Sequence, residues 1–559
     1  MSAQGTDKQI HDNVADNPHA GRESIPGIDH DDHILDVISS EQHSKHATTA
    51  PNTLDPEKGV ASSDSSEPRG KEAKNQNSEA VFSTFKVAEK RLIVLIVALT
   101  TLLPPLTGSM YYPVIPMLAE ELHVSISDIN LTITAYLIVQ GIAPSFTGNL
   151  SDETGRRPAL VVTFIIYIAG CVGAAVKGNY ALLFVMRCLQ SAGSSGTIAL
   201  SLATVSDIVT SAERGSYTSY VQMGWMVGPA LGPVIGGLLS HYLGWRSIFW
   251  FLTIFSSVVF VVLLVFLPET SRNIVGNGSI PPPKWNMSLL VYLRSRKQQQ
   301  VCSTTRSASV DRQAPMALRA QLNPFSSLKI FLDKEVCILL LYSGLIYASS
   351  YMVLSTMPDQ LQEHYGFNTL QISLCYLATG VGTMTSVLFT GRLLDWNFRR
   401  HAKQLGMEIS KDKQQDLTDF PIEVARLQVG IHVLVLAGIS LVAYGWTMQT
   451  ETSLAAPMIF LFLQSFGNAS AFSGFNNLIM DLNRTKPGAA SAAMNLARCW
   501  MGAGGVAFAG PLNKAGGVGW MAVMIAGMWL VFSPFVFMVL RYGPKWRGAK
   551  REEMDTSAA

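Results

Sequence analysis

The sequence predicts an all-α membrane protein with twelve transmembrane helices in two six-helix bundles. Three observations carry the prediction. Mean hydropathy is +0.25 and 48% of the 559 residues are apolar. The apolar residues gather into twelve runs near the ~20 residues that a hydrocarbon core demands, and backbone groups in lipid must be satisfied within each segment, which makes the runs helices. A short charged motif also recurs at the equivalent place in each half, as an internally duplicated fold requires.

Residues 1–85 are rich in Ser, Asp, Glu, His and Asn and end in Lys86, Lys90 and Arg91. They read as a disordered cytoplasmic tail. The irregular spacing of His11, His19, His30, His33, His43 and His46 suits a solvated tail rather than a metal site. The first bundle is expected over 86–268, with runs near 92–112, 129–147, 159–177, 180–204, 217–240 and 247–267. A polar linker follows over 269–335, and the second bundle over 336–541 has runs near 336–357, 369–391, 427–448, 455–480, 488–508 and 518–541. Residues 542–559 form a second cytoplasmic tail. No cleavable signal peptide is read from the polar first eighty residues. Basic residues cluster on alternate connections, which by the positive-inside rule places both termini in the cytoplasm. The net charge of +2 gives no basic face for nucleic acid. Five of the six cysteines fall inside apolar runs, and none has disulfide or metal spacing.

The first two runs of the chain lead into Gly148-Asn-Leu-Ser-Asp-Glu-Thr-Gly-Arg-Arg-Pro158, a hydrophilic island between long apolar runs. Small residues there let helices approach, and Pro158 suits the first turn of the next helix. Gly148, Asp152, Gly155, Arg156 and Arg157 resemble the loop signature G-x-L-[SA]-D-x-x-G-R-R-P of the major facilitator superfamily. The resemblance implies a gate: Asp152 would dock at the start of the eleventh helix, Pro487-Gly488, where the helix N-terminus is partly positive. Gly391-Arg-Leu-Leu-Asp-Trp-Asn-Phe-Arg-Arg400 repeats the pattern in the second half and adds Asp395 to the gate, with Asp481 beside the start of the eleventh helix.

In the fourth run, Arg187, Gln190 and Gly193 fall on one helical side. A cation inside the bilayer costs at least ~2.5 kcal/mol on insertion scales, so Arg187 should face the bundle interior. The segment resembles the superfamily's R-x-x-Q-x-x-G signature, which implies a part in proton coupling; an arginine tied to backbone carbonyls is the structural alternative. In the fifth run Gly224, Gly228, Gly232 and Gly236 recur every four residues, with Gly237, Pro229 and Pro233 beside them. That stripe allows close packing and the prolines bend it. It resembles the antiporter signature G-x-x-x-G-P-x-x-G-G, which implies an exporter whose bent helix acts as a pivot.

Leu267-Pro-Glu-Thr-Ser-Arg272 resembles the linker start of fungal twelve-span drug:proton antiporters. Tyr111–Pro116, Phe420–Leu427 and Asp481–Cys499 are similar to its quinidine-resistance branch, over about residues 85–541. The resemblance implies proton-coupled export of drugs, polyamines, amino acids, spore-wall precursors or organic acids. Asn495 and Arg498 form a second deep polar pair, Arg498 lying ~15 Å past Pro487 along a helix. Gln140 and Gln222 supply further polar groups on other helices. Where exporters of cationic drugs carry an acid in the first helix, this chain has Thr107 and Ser109. Arg187 and Arg498 are then the deep charges, so a neutral or anionic cargo is expected, and a citrate-type organic-anion exporter is the rival to drug or metabolite export. A monomer in the plasma or vacuolar membrane, taking cargo and protons and no cofactor, completes the expectation. The chain has no G-x-x-x-x-G-K-[ST] nucleotide loop and does not read as an enzyme.

Overall fold

The computed structural model of the chain describes residues 83–176, 178–209, 211–291, 293, 329–405, 420–483 and 487–558. Most of both expected polar segments, the N-terminal tail and the centre of the linker, lies outside them. Among the described residues every regular element is helical.

The first half runs α1 (Val87–Ser109), a 3-10 turn (Tyr112–Val114), α2 (Ile115–Glu121), α3 (Ile126–Thr154), α4 (Arg156–Val176), α5 (Tyr180–Ile208), α6 (Ser211–Leu243) and α7 (Arg246–Phe266). After a one-turn α8 (Arg272–Val275) and a 3-10 turn (Lys284–Asn286), the second half runs α9 (Lys334–Tyr365), α10 (Thr369–Gln404), α11 (Ile422–Gln449), α12 (Ala455–Leu482) and α13 (Pro487–Ala558). Ten segments are long and apolar enough to cross a membrane by length and composition alone. Two more complete the twelve. Polar residues lower the hydropathy of α5, though its 29 residues reach ~43 Å. The 72-residue α13 is two helices merged across Gly517, whose φ of 74° breaks the helical path.

The second helix of each half starts in the same way. At α3, Ser125 Oγ accepts from Asp128 N at 3.2 Å while Ser125 N donates to Asp128 Oδ2 at 3.1 Å. At α10, Asn368 and Gln371 exchange the same two bonds, each at 3.0 Å. Each box satisfies two backbone N–H groups that the helix start would otherwise leave bare.

Two bundles result. The first packs α1 on α6, α4 on α5 and α7, and α3 on α5; the second packs α11 on α12 and α13, α9 on α13, and α10 on α12. Between them α3 meets α13 and α6 meets α10. The glycine stripe of α6 belongs to the first bundle. A Cβ on Gly224 would meet the Ala98 carbonyl and the Thr101 hydroxyl, on Gly228 it would meet Pro105, and on Gly232 and Gly236 it would meet Ser109 and Met110. Hydroxyls stitch the same seam, Thr101 Oγ1 donating to the Val221 carbonyl at 2.9 Å and Ser109 Oγ to the Gly228 carbonyl at 3.1 Å. The stripe thus fastens α6 to α1, and only Gly237 of that set meets the other bundle, against Ser373 and Thr369 of α10. Pro229 is exposed and Pro233 buried, both within α6.

The segments that follow each bundle are more ordered than their composition suggests. Residues 269–271, read as the start of a free linker, are buried. The segment read as a tail from 542 continues the last helix through Ala558.

Candidate functional site

At the end of the bundles that carries the 148–157 loop, a buried carboxylate organises the charged residues. Glu269 follows α7 and is 2% exposed. Its Oε1 accepts from the backbone N–H of Arg156 (2.9 Å), Thr270 (3.0 Å) and Ser271 (2.9 Å). Its Oε2 accepts from Arg157 N (3.2 Å) and from Asn286 Nδ2 (2.7 Å). The acid thereby caps the start of α4 from another element, where a helix has unsatisfied donors and favours negative charge. Gly155 makes room for it: φ is 108° there, and a Cβ would fall on the Glu269 carboxylate.

Around this cap, Arg156 Nη1 donates to Asp152 Oδ1 at 2.8 Å and Arg156 Nε donates to Asp207 Oδ2 at 2.9 Å. Arg157 Nη2 donates to the Leu264 carbonyl at 3.1 Å. Asp152 therefore rests on Arg156 in this structure; the side chains at 487–489, its expected dock, lie outside the described set. Gly148 and Gly391, the paired glycines of the two motifs, lie inside α3 and α10 and face open space, with nothing within 4 Å of an added Cβ.

The second half arranges the same chemistry on different residues. The loop echo puts Arg399 and Arg400 at the offsets of Arg156 and Arg157, yet α10 runs on as helix to Gln404 and leaves Asp395, Arg399 and Arg400 exposed. The spatial counterpart of the Arg156–Asp207 pair is Arg426 at the start of α11 with Asp481 at the end of α12, 3.0 Å apart. Sequence reasoning missed Glu269 and Arg426. The signals available were an acid directly after one apolar run and a basic residue directly before another.

Midway along the helices the two deep arginines have different surroundings. Arg187 is 1% exposed, its Cζ 4.2 Å from the centroid of Tyr111 and 4.4 Å from that of Tyr136. Its Nη1 donates to Gln190 Oε1 at 3.1 Å, and Gln190 Nε2 donates to Cys171 Sγ at 3.2 Å. Every one of these partners belongs to the first bundle, so Arg187 is walled into that bundle's core. Arg498, on α13, instead joins the bundles: its Cζ lies 5.3 Å from the Trp225 ring of α6 and 4.9 Å from the Tyr347 ring of α9. Its Nη2 donates to Asn495 Oδ1 at 2.7 Å and its buried Nε has no partner. No salt bridge reaches either arginine among the described residues. Cation–π contacts give about 2 kcal/mol when desolvated. A buried ion costs several kcal/mol, so the rings offset only part of the cost at Arg498.

Asn495 Nδ2 donates to the Gln140 backbone carbonyl of α3 at 3.1 Å. Gln222 sits one turn before Trp225 on the same face of α6 and is exposed. Tyr347 and Tyr351 face inward, their rings 4.9 Å apart, and Tyr351 approaches Tyr112 of the first bundle at 6.5 Å. Further cross-bundle contacts lie toward the end opposite the charged loop. Thr134 Oγ1 donates to the Ala503 carbonyl at 3.4 Å, Tyr112 stacks on Tyr376 at 6.3 Å, and a Cβ on Gly510 would lie 3.1 Å from Ser127 Oγ. The arrangement offers a partly desolvated cation and a set of rings between two bodies that touch firmly at one end.

Residues 97–506 match the Major Facilitator Superfamily. The chain is 42% identical over 480 residues to the MFS-type transporter phiD of Fungal sp. (strain ATCC 74256), covering 86% of this chain and 72% of that one. It is 34% identical over 485 residues to citrate exporter 1 of Aspergillus niger, covering 85% and 90%. Among solved structures, the human organic anion transporter MFSD10 (TETRAN) superposes with a TM-score of 0.50 at 19% identity, covering 80% of this chain and 99% of that one.

Proposed function

The chain belongs to the major facilitator superfamily of secondary transporters, and from that premise we propose that it exports a small organic molecule in exchange for protons. The observation that carries the reading is Arg498: a buried cation between the bundles, with Trp225 on one side and Tyr347 on the other. A group that binds there touches both bundles and can bias how they rock about the midplane. The basic loops support a topology with both termini in the cytoplasm. On that orientation the charged loop is cytoplasmic, the firm contacts close the outer end, and the present state receives cargo from inside.

The cargo is a drug, toxin or secreted metabolite. The organic-anion alternative is favoured by one specific feature, a cation without a counter-charge placed between the bundles at Arg498, and it agrees with the similarity to a citrate exporter. The protein works as a monomer in the plasma membrane, with the vacuolar membrane the other candidate site. The test compares metabolites in the medium and cytosol of cells with and without the protein. Retention of one compound on deletion, with release that collapses when the proton gradient is dissipated, is expected. Equal distributions with unchanged drug sensitivity would overturn the export reading.

A further inference from the structure

The same site carries a statement about cargo class, which rests on the export reading above. Two deep cations in one cavity would match a di- or tricarboxylate. The structure separates them. Arg187 is enclosed by Tyr111 and Tyr136 and bonds only within the first bundle. Arg498 is the deep cation placed between the bundles, retaining 8% of its surface. One guanidinium fork matches one carboxylate in bidentate geometry. Asn495 occupies one donor of that fork, and Nε is buried without a partner. The walls beside it are rings: Trp225, Tyr347 and Tyr351, with Phe472 5.7 Å from Tyr347.

We propose that this site selects a monoanion with a planar apolar body, its single carboxylate on Arg498 and its rings or conjugated chain against Trp225 and Tyr347. A second carboxylate on the cargo would enter this aromatic surround with no cation to meet it, at a desolvation cost that nothing repays. A neutral amide isostere can accept from only one donor of Arg498 and turns its NH2 toward the other, losing the discrimination that a built polar site provides.

The experiment uses the full chain in lipid nanodiscs and equilibrium binding of cinnamate, its neutral isostere cinnamamide, and citrate. Cinnamate is expected to bind at least tenfold more tightly than cinnamamide, and citrate no more tightly than cinnamamide. Arg498→Gln should erase the preference for the acid while keeping cinnamamide binding, and Trp225→Leu should weaken both aromatic probes with their ratio retained. The wild-type series stands by itself if a variant fails to fold. Equal binding of acid and amide, tighter binding of citrate, or no binding of either aromatic probe overturns the proposal. The export reading fails separately, on unchanged metabolite distributions in cells, and a cinnamate preference that persists there leaves this inference standing.

Discussion

Asn495 of one bundle donates to the backbone carbonyl of Gln140 in the other at 3.1 Å, and that carbonyl is the one which Pro144 leaves bare. A proline at i+4 has no N–H to give to residue i, and Pro144 lies inside α3. The same Asn495 accepts from Arg498, so the buried cation between the bundles and the inter-bundle contact share a residue. Asn495→Ala should cost about 1–3 kcal/mol of stability, the range for a buried polar group left unsatisfied. Pro144→Ala returns a helical donor to Gln140, so the cost of Asn495→Ala in that background should fall. Thermal unfolding of the four proteins in detergent measures the coupling. Strict additivity would show that the carbonyl is satisfied in some other way.

The two acids on Arg156, Asp152 at the end of α3 and Asp207 at the end of α5, differ in depth. Asp207 is 10% exposed at its side chain and Asp152 33%, and both contact Arg156. Asp152→Asn should leave stability within about 1 kcal/mol, as expected of a partly exposed pair. It should slow transport without abolishing cargo binding. Asp207→Asn weakens the deeper contact while Arg156 keeps Asp152 and Ser151, and should cost about 1.5–3 kcal/mol, the range for a hydrogen bond between charged groups. Equal stability losses in the two variants, or full transport in Asp152→Asn, would remove the distinction.

Glu269 is read as the start of a linker because Leu267–Arg272 resembles a linker start and opens the polar segment after the sixth apolar run. Its burial depends on two other segments, the start of α4 and Asn286, that no local pattern brings to it. The runs and the glycine stripe were legible for the opposite reason: length against a hydrocarbon core and a four-residue period are local properties. The partner of the stripe was not legible, since period names a face and not the neighbour that fills it. Arg187 and Arg498 show the same limit. Both read as deep cations, and helix rotation alone decided that one is enclosed by tyrosines and the other stands between bundles. Likewise α10 continues as helix through the loop echo, and the second half builds its ion pair from Arg426 and Asp481.

Replacing that buried acid by its amide is a sharp probe. In Glu269→Gln one oxygen becomes an NH2 group facing donors, losing at least two of the five hydrogen bonds that the carboxylate accepts. Each hydrogen bond to a charged group is worth about 1.5–3 kcal/mol. The variant should lose most of its folded yield or melt well below the parent, and Glu269→Asp should fall between them. Size-exclusion yield and melting temperature decide it. A Gln variant as stable as the parent would mean that the cap is not fixed by charge.

The end opposite the charged loop must open if the bundles rock about the midplane, and Ser127 with Gly510 reports on it. A Cβ on Gly510 would lie 3.1 Å from Ser127 Oγ, close to the separation of about 3 Å between one Cβ and the partner's sulfur that disulfide bond geometry sets. Ser127→Cys with Gly510→Cys should therefore crosslink on mild oxidation. The five described native cysteines are all free, and none is fully exposed. The crosslinked protein should still bind cargo from the charged-loop side while transport drops at least tenfold, and reductant should restore it. Each single substitution serves as a control, because neither can bridge α3 to α13. Transport that continues in the fully crosslinked protein would show that this end never separates, and the route across the membrane would then have to avoid the gap between the bundles.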